Sequence, residues 1–226
     1  MNQNTIAKKI SISGIGIHTG EKSTITLCPA KENSGVSFQR VDLENKPIVE
    51  AKFSNVYSKK SCNNIITWFE KSKQLSKPGL AGDKNLNNLE ICIQITPQNN
   101  FFGLDKTLSK CTNKFKKIYP EIDKHIGRWQ ISPLMQLTCY EPNSFYNYIH
   151  CENDGHPKYL NRVFAWMIFL NTIKKGGGTY FKYQNTIAKP VAGDFYIWPA
   201  GWTHFHQGIK ATQEKKYILT GWYNYI

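Results

Sequence analysis

The stretch "NYIHCEN" holds His150 and Glu152 one residue apart, and "WTHFHQG" holds His204 and His206 at the same spacing. Side chains two apart on an extended strand project to one face, so each pair can address a single point. Two imidazoles and one carboxylate leave adjacent positions open around a divalent ion. That set suits non-haem Fe(II), which must also receive a cosubstrate and dioxygen. It is not the closed four-ligand set of structural zinc. Lys216 follows His206 by ten residues, and alternation along "KYILTGW" puts Lys216, Ile218, Thr220 and Trp222 on one face. An ammonium turned into a barrel needs an anionic partner. A dicarboxylic keto acid that chelates the ion at one end offers its far carboxylate there. Tyr140, ten residues before His150, can donate its phenolic hydrogen to the same molecule.

These residues need a scaffold. From about Leu134 onward the chain reads as short strands: "LMQLTCY", "YNYIHCE", "RVFAWMIFLN", "TYFKYQ", "AGDFYIWPA", "THFHQG" and "KYILTGWYNY". Turn clusters such as "EPNS", "KKGGG" and "KPVAGD" separate them. Upstream, Cys62, Ile65, Ile66 and Phe69 recur at helical spacing behind Ser58 or Ser61 as a cap, and "LEICIQI" reads as a strand. Leu104, Leu108, Cys111, Phe115 and Ile118 form a second helical stripe with a Lys-rich opposite face. Helices followed by a dense array of strands predict an α+β fold with a sandwich or barrel core. Trp166 reads as core, and Trp198 and Trp202 as core or pocket wall.

Composition narrows the function classes. The 226 residues carry a formal net charge of +13, but only Arg40, Arg128 and Arg162 of the 29 basic residues are Arg. The Lys are spread along the chain. Readers of phosphates and base edges lean on Arg, so nucleic acid is not an expected partner. No apolar run reaches the roughly 18 residues that cross a bilayer, and "MNQNTIAKKISISGIG" lacks the pattern of a secretory signal. A cytoplasmic location without membrane contact is expected. Cys28, Cys62, Cys92, Cys111, Cys139 and Cys151 form no CxxC pair, as in a chain of reduced, mostly buried thiols.

Residues from about 57 to 226 resemble the 2-oxoglutarate- and Fe(II)-dependent oxygenases of the prolyl 4-hydroxylase-like superfamily. The motifs stand in order: "CYEPNSFYNYIHCEN", "FLNTIKKGGGTYF", "KPVAGDFYIWPAGWTHFHQG" and "KKYILTGWYNY". The resemblance implies a double-stranded β-helix (jelly-roll) core with flanking helices. It implies Fe(II) held by His150, Glu152 and His206, with 2-oxoglutarate anchored by Lys216, Tyr140 and Thr220. Ascorbate is implied as a reductant. Oxygen and 2-oxoglutarate would then be consumed to hydroxylate a C–H bond, peptidyl proline being the family-level substrate, with release of succinate and carbon dioxide. This chain departs from the family at the carboxylate, which is Glu152 rather than the usual Asp. The distal histidine is His206 by its spacing to Lys216, with His204 as the alternative. Lys215 alternates outward. His18, His125 and His156 read as loop or surface residues.

"SGIGIHTGEK" and the strand-like sequence after it, about residues 4–56, resemble the opening of UDP-3-O-acyl-N-acetylglucosamine deacetylase. That family's zinc ligands lie further downstream and have no counterpart here. A β-rich appendage over 1–56, partly packed on an oxygenase domain over 57–226, is therefore expected. Two other functions fit less of the sequence. One is an inactive double-stranded β-helix that only binds, which the longer Glu152 allows. The other is a truncated deacetylase, against which the missing zinc motif argues.

Overall fold

In the computed structural model, residues 10–15, 22–27, 51–78, 88–94 and 101–226 are described. The chain forms two compact units, Met1–Lys46 and Pro47–Ile226. In the first, β1 (Ile10–Ile15) and β2 (Lys22–Leu27) pair antiparallel, with Ile10 opposite Leu27 and Ile15 opposite Lys22. This agrees with the β-rich character expected of residues 1–56. His18 and Cys28 lie outside the described residues.

The second unit holds two antiparallel sheets. The larger runs β3 (Ala51–Phe53), β10 (Phe195–Pro199), β7 (Arg162–Phe169), β12 (Lys216–Tyr225), β6 (Trp129–Tyr140), β5 (Asn88–Gln94) and β4 (Lys77–Pro78). The smaller runs β11 (His206–Gly208), β8 (Thr179–Phe181) and β9 (Thr186–Ala188). Two helices of three or more turns, α1 (Lys59–Lys71) and α2 (Leu104–Ile118), precede the central strands, and a single turn, α3 (Glu121–Lys124), follows α2. This is the α+β arrangement expected, a double-stranded β-helix with its helices upstream.

Ser58 starts α1: its hydroxyl accepts from the Ser61 amide at 3.1 Å, satisfying one of the amides a first turn leaves unpaired. The stripe Cys62, Ile65 and Phe69 of α1 is buried, as is Leu104, Leu108, Cys111 and Phe115 of α2. Both stripes join one core with Met135, Leu137, Phe164, Ile168, Leu219 and Tyr223 on one face of the larger sheet. Each fully buried Phe or Leu there contributes about 1.5–3 kcal/mol by removal from water. Trp166, 1% exposed, belongs to this core as expected. Alternate residues on the same strands (Tyr140, Ala165, Met167, Phe169, Trp198 and Ile218) pack with Phe181 and Ala188 of the smaller sheet. Strand β7 is thus covered on both faces, which is why "RVFAWMIF" reads as a continuous apolar run.

Several boundaries differ from those expected. Residues 51–56, assigned by sequence to the N-terminal segment, are tied to the second unit. Strand β3 pairs with β10, the Val56 amide donates to the Gly193 carbonyl at 2.8 Å, and Lys52 pairs with Asp194 at 2.6 Å. Three residues paired to a strand more than a hundred positions away leave no local periodicity to read. The "YNYIHCE" run forms no strand, only a bridge at His150. In "THFHQG" the strand shrinks to His206–Gly208, because Trp202–His204 closes a 3₁₀ turn. Trp202 is neither core nor wall: it is 69% exposed.

Candidate metal centre and cosubstrate pocket

The cavity that opens between the sheets has a volume of about 350 Å³, within the usual range for a small-molecule site. His150, Glu152 and His206 line it, together with Tyr140, Lys216 and Thr220. All six residues singled out from sequence therefore meet in one place. Trp198 lines it as well, and Trp166 reaches it from the core.

The two imidazoles are brought together by backbone pairing. The His150 amide donates to the His206 carbonyl at 3.0 Å, and the His206 amide donates back at 2.8 Å. Register with β8 places His206 opposite Phe181, and Phe181 and Trp198 enclose its ring with centroids at 5.4 and 5.2 Å. His206 is 5% exposed. Its Nδ1 meets the His204 carbonyl at 2.8 Å, and His150 Nδ1 meets the Tyr148 carbonyl at 3.0 Å. A carbonyl only accepts, so both Nδ1 atoms carry hydrogen and both Nε2 atoms are left as donors of an electron pair.

Glu152 reaches the same point without a strand. Its amide and that of Asn153 both donate to the Ala200 carbonyl at 2.9 Å. The Asn153 side-chain amide spans the Leu160 and Arg162 carbonyls, each at 3.0 Å. Glu152 Oε1 then lies 3.6 Å from His150 Nε2 and 3.5 Å from His206 Nε2. Atoms about 2.1 Å from one ion and at right angles are about 3 Å apart, so the three donors fit a divalent metal on one octahedral face. The ligand atoms all lie within 4.8 Å of one another. Burial alone would raise the Glu152 carboxyl. When the His150 and His206 imidazoles are protonated, their hydrogen bonds and charge outweigh burial and hold it well below the usual carboxylate range, and a bound metal would take the place of those Nε2 protons.

His204, the alternative to His206, is fully buried but is not part of this cluster. Its Nδ1 meets Thr203 Oγ1 at 3.0 Å. The 3₁₀ turn breaks the alternation that would have put both histidines on one face.

Lys216 is 5% exposed, with its ammonium over the rings of Tyr140 at 5.2 Å and Phe169 at 5.7 Å. Among the described residues it has no carboxylate partner. Burial pushes its pKa down to about 8, and pairing with an incoming dianion would favour the charged form. Burial raises the Tyr140 hydroxyl, which keeps it a hydrogen-bond donor. Thr220 sits four residues beyond Lys216 on the same face of β12. Lys215 points the other way and pairs with Glu141 at 2.7 Å. The five described cysteines are unpaired, and burial pushes the Cys62, Cys111 and Cys139 thiols up to about 11, which leaves them unreactive.

Two contacts to Glu152 were not legible beforehand. Trp222 Nε1 donates to Oε2 at 2.7 Å, and Arg162 Nη1 donates to the same oxygen at 3.2 Å. Trp222 had been placed on the Lys216 face, which pointed to the cavity but not to this bond. Nothing in the local pattern around Arg162 marked it.

Comparison with known proteins agrees with this geometry. Residues 135–224 match the 2OG-Fe(II) oxygenase superfamily, and residues 3–76 match UDP-3-O-acyl N-acetylglycosamine deacetylase. A viral collagen prolyl hydroxylase from Paramecium Bursaria Chlorella virus-1, solved with 2OG, superposes with a TM-score of 0.56 at 18% identity. That match covers 80% of this chain and 97% of the other. A Pseudomonas putida prolyl-4-hydroxylase gives 0.57 at 13% identity, covering 78% of this chain and 92% of that one. UDP-3-O-acyl-N-acetylglucosamine deacetylase of Neisseria meningitidis is 54% identical over 46 residues, 20% of this chain. The match spans only 15% of that relative's length. Residues 135–224 are thus similar to the 2OG-Fe(II) oxygenase superfamily, and the segment before them is similar to a small part of UDP-3-O-acyl-N-acetylglucosamine deacetylase.

Proposed function

We propose that this dioxygenase hydroxylates a C–H bond, with Fe(II) held by His150, Glu152 and His206 and 2-oxoglutarate as cosubstrate. The observation that carries the reading is the convergence of two Nε2 atoms and one carboxylate oxygen within 4.8 Å, at a cavity that a buried lysine also lines. Bound iron would supply the activation of dioxygen. The protein's own groups do the rest. Lys216 pairs with the far carboxylate of 2-oxoglutarate, and Tyr140 and Thr220 donate hydrogen bonds to it. Phe181 and Trp198 pack around His206 and keep water from that side of the site. In the balanced reaction the C1–C2 bond of 2-oxoglutarate breaks, releasing carbon dioxide. One oxygen atom enters succinate and the other replaces hydrogen on the substrate carbon as hydroxyl. Ascorbate is an accessory reductant.

Peptidyl proline is the substrate we propose first, since the similar folds include a collagen prolyl hydroxylase and a prolyl-4-hydroxylase. The test is succinate release with proline-containing peptides, free amino acids and protein substrates, each scored for a mass gain of one oxygen. Succinate and hydroxylated product should appear with the intact chain and vanish in His206→Ala. An intact chain loaded with Fe(II) that shows no visible charge-transfer band on anaerobic addition of 2-oxoglutarate would instead mark an inactive binding fold.

A further inference from the structure

The two oxygens of Glu152 have different neighbours. Oε1 faces both imidazoles, at 3.6 and 3.5 Å. Oε2 accepts from the Trp222 indole at 2.7 Å and from Arg162 Nη1 at 3.2 Å. Arg162 is itself held firmly. Its guanidinium lies 3.8 Å from the Trp222 ring centroid and 4.2 Å from that of Tyr159. Its Nη1 also donates to the Glu152 carbonyl at 3.2 Å. One guanidinium thus grips the backbone and the side chain of the same residue, and the indole closes the grip from β12.

We infer that Trp222 and Arg162 are positioning residues that hold Glu152 as a one-oxygen ligand. This rests on the reading that His150, Glu152 and His206 bind a metal. A carboxylate beside a divalent ion can bind through one oxygen or two, and binding through two would occupy a position that the cosubstrate and dioxygen need. An indole N–H is only a donor, and a charge-assisted bond from Arg adds to it. Together they hold Oε2 where it cannot swing to the ion. The same grip fixes the side-chain length required at this position. Removing one methylene withdraws the carboxylate by about 1.5 Å, so an aspartate could not meet the imidazoles and the Trp222–Arg162 pair at once.

Cobalt(II), titrated by its visible absorption, tests this without turnover. Trp222→Phe leaves a smaller aromatic ring for Arg162 to stack on and removes the indole N–H. It should weaken cobalt binding by about 10- to 100-fold, as loss of a hydrogen bond to a metal ligand commonly does, and should alter the band shape. Glu152→Asp should weaken binding too, while keeping a cooperative urea transition in the metal-free state. In a Glu152→Ala background, Trp222→Phe should cause no further loss, since the oxygen it orients is gone. An equal loss in that background would assign Trp222 a merely structural role and overturn the inference. So would wild-type affinity in Trp222→Phe, or tighter binding in Glu152→Asp. If the unaltered chain takes up no cobalt, both the metal reading and this inference fall. If it binds cobalt through His150 and His206 but is indifferent to Trp222→Phe, only the inference falls.

Discussion

His150 and His206 face each other across an isolated antiparallel bridge, their rings 4.3 Å apart. The bridge has a consequence for His204. That residue contributes its carbonyl to His206 Nδ1, which any side chain at position 204 preserves. His206→Ala should therefore abolish micromolar cobalt binding. His204→Ala should change cobalt affinity by less than about threefold but cost about 1–3 kcal/mol of stability, the usual range for a buried polar side chain removed from its partners. Cobalt titration and urea denaturation of the two variants check both halves. Loss of cobalt binding in His204→Ala would move the ligand assignment to His204.

Lys216 should make 2-oxoglutarate binding depend on pH. Burial lowers its pKa to about 8 in the empty protein, against 10.5 for the unburied side chain. Affinity should then fall as pH rises above about 8, because the ammonium must be charged to pair with a carboxylate. Stability has the opposite sign. Between about 8 and 10.5 the unfolded chain holds a proton that the folded chain lacks, so this residue's contribution to stability rises with pH across that window. Lys216→Met should weaken 2-oxoglutarate about 30-fold or more, the cost of leaving one partner of a buried charge pair alone. It should also remove the alkaline loss of affinity. Calorimetric titration at pH 7 and pH 9 measures both.

The metal cluster was legible from sequence partly for a reason that does not hold. Residue types and spacing identified His150, Glu152 and His206, but strand alternation does not bring the first two together. They sit in an extended loop, pinned by the Ala200 carbonyl and the Asn153 side chain. Alternation did hold on β12, where unbroken pairing with β6 over Lys216–Gly221 and with β7 over Ile218–Tyr223 keeps the pleat and turns Lys216, Thr220 and Trp222 to the cavity. The hold of Arg162 and Trp222 on Glu152 depends on partners ten and seventy positions away, so neither periodicity nor a short motif reports it. The helices were read correctly, apart from Ile118, which is 52% exposed at the end of α2, because α1 and α2 bury one face each against the sheet, which imposes the 3.6-residue period.

Gly221 gives a test of how tightly the sheet fits the helical core. A Cβ there would lie 2.6 Å from Cζ2 of Trp166 and 2.9 Å from its indole nitrogen. Trp166 is 1% exposed and cannot step aside. Gly221→Ala should destabilise the unit by about 1–3 kcal/mol through overpacking. Because Trp166 also lines the cavity, it should weaken 2-oxoglutarate as well. Pairing it with Trp166→Phe, whose smaller ring lacks the outer indole atoms that the added Cβ meets, should restore part of the stability. Unchanged urea midpoints in Gly221→Ala would show that the sheet yields there instead.

The boundary between the two units predicts a difference between two truncations. A chain beginning at Pro47 keeps β3 with its pairing to β10, and keeps the stack of Phe53 on Phe195 at a 6.0 Å centroid distance. One beginning at Tyr57 loses all of it. It also strands Asp194, 2% exposed, without the Lys52 ammonium and the Asn55 amide that now face it. The loss of a paired edge strand, its buried apolar surface and these contacts is on the order of 3 kcal/mol. Urea denaturation should thus separate the 47–226 chain from the 57–226 chain. The 57–226 chain should shift clearly lower at the same slope. Gly193 sharpens the expectation: its φ of +83° and its close approach to the Tyr57 carbonyl, 2.1 Å from where a Cβ would stand, require residues 55–57 to run along the start of β10. Equal midpoints for the two truncations would mean that the sheet closes without β3, and that the functional unit starts where the sequence first suggested.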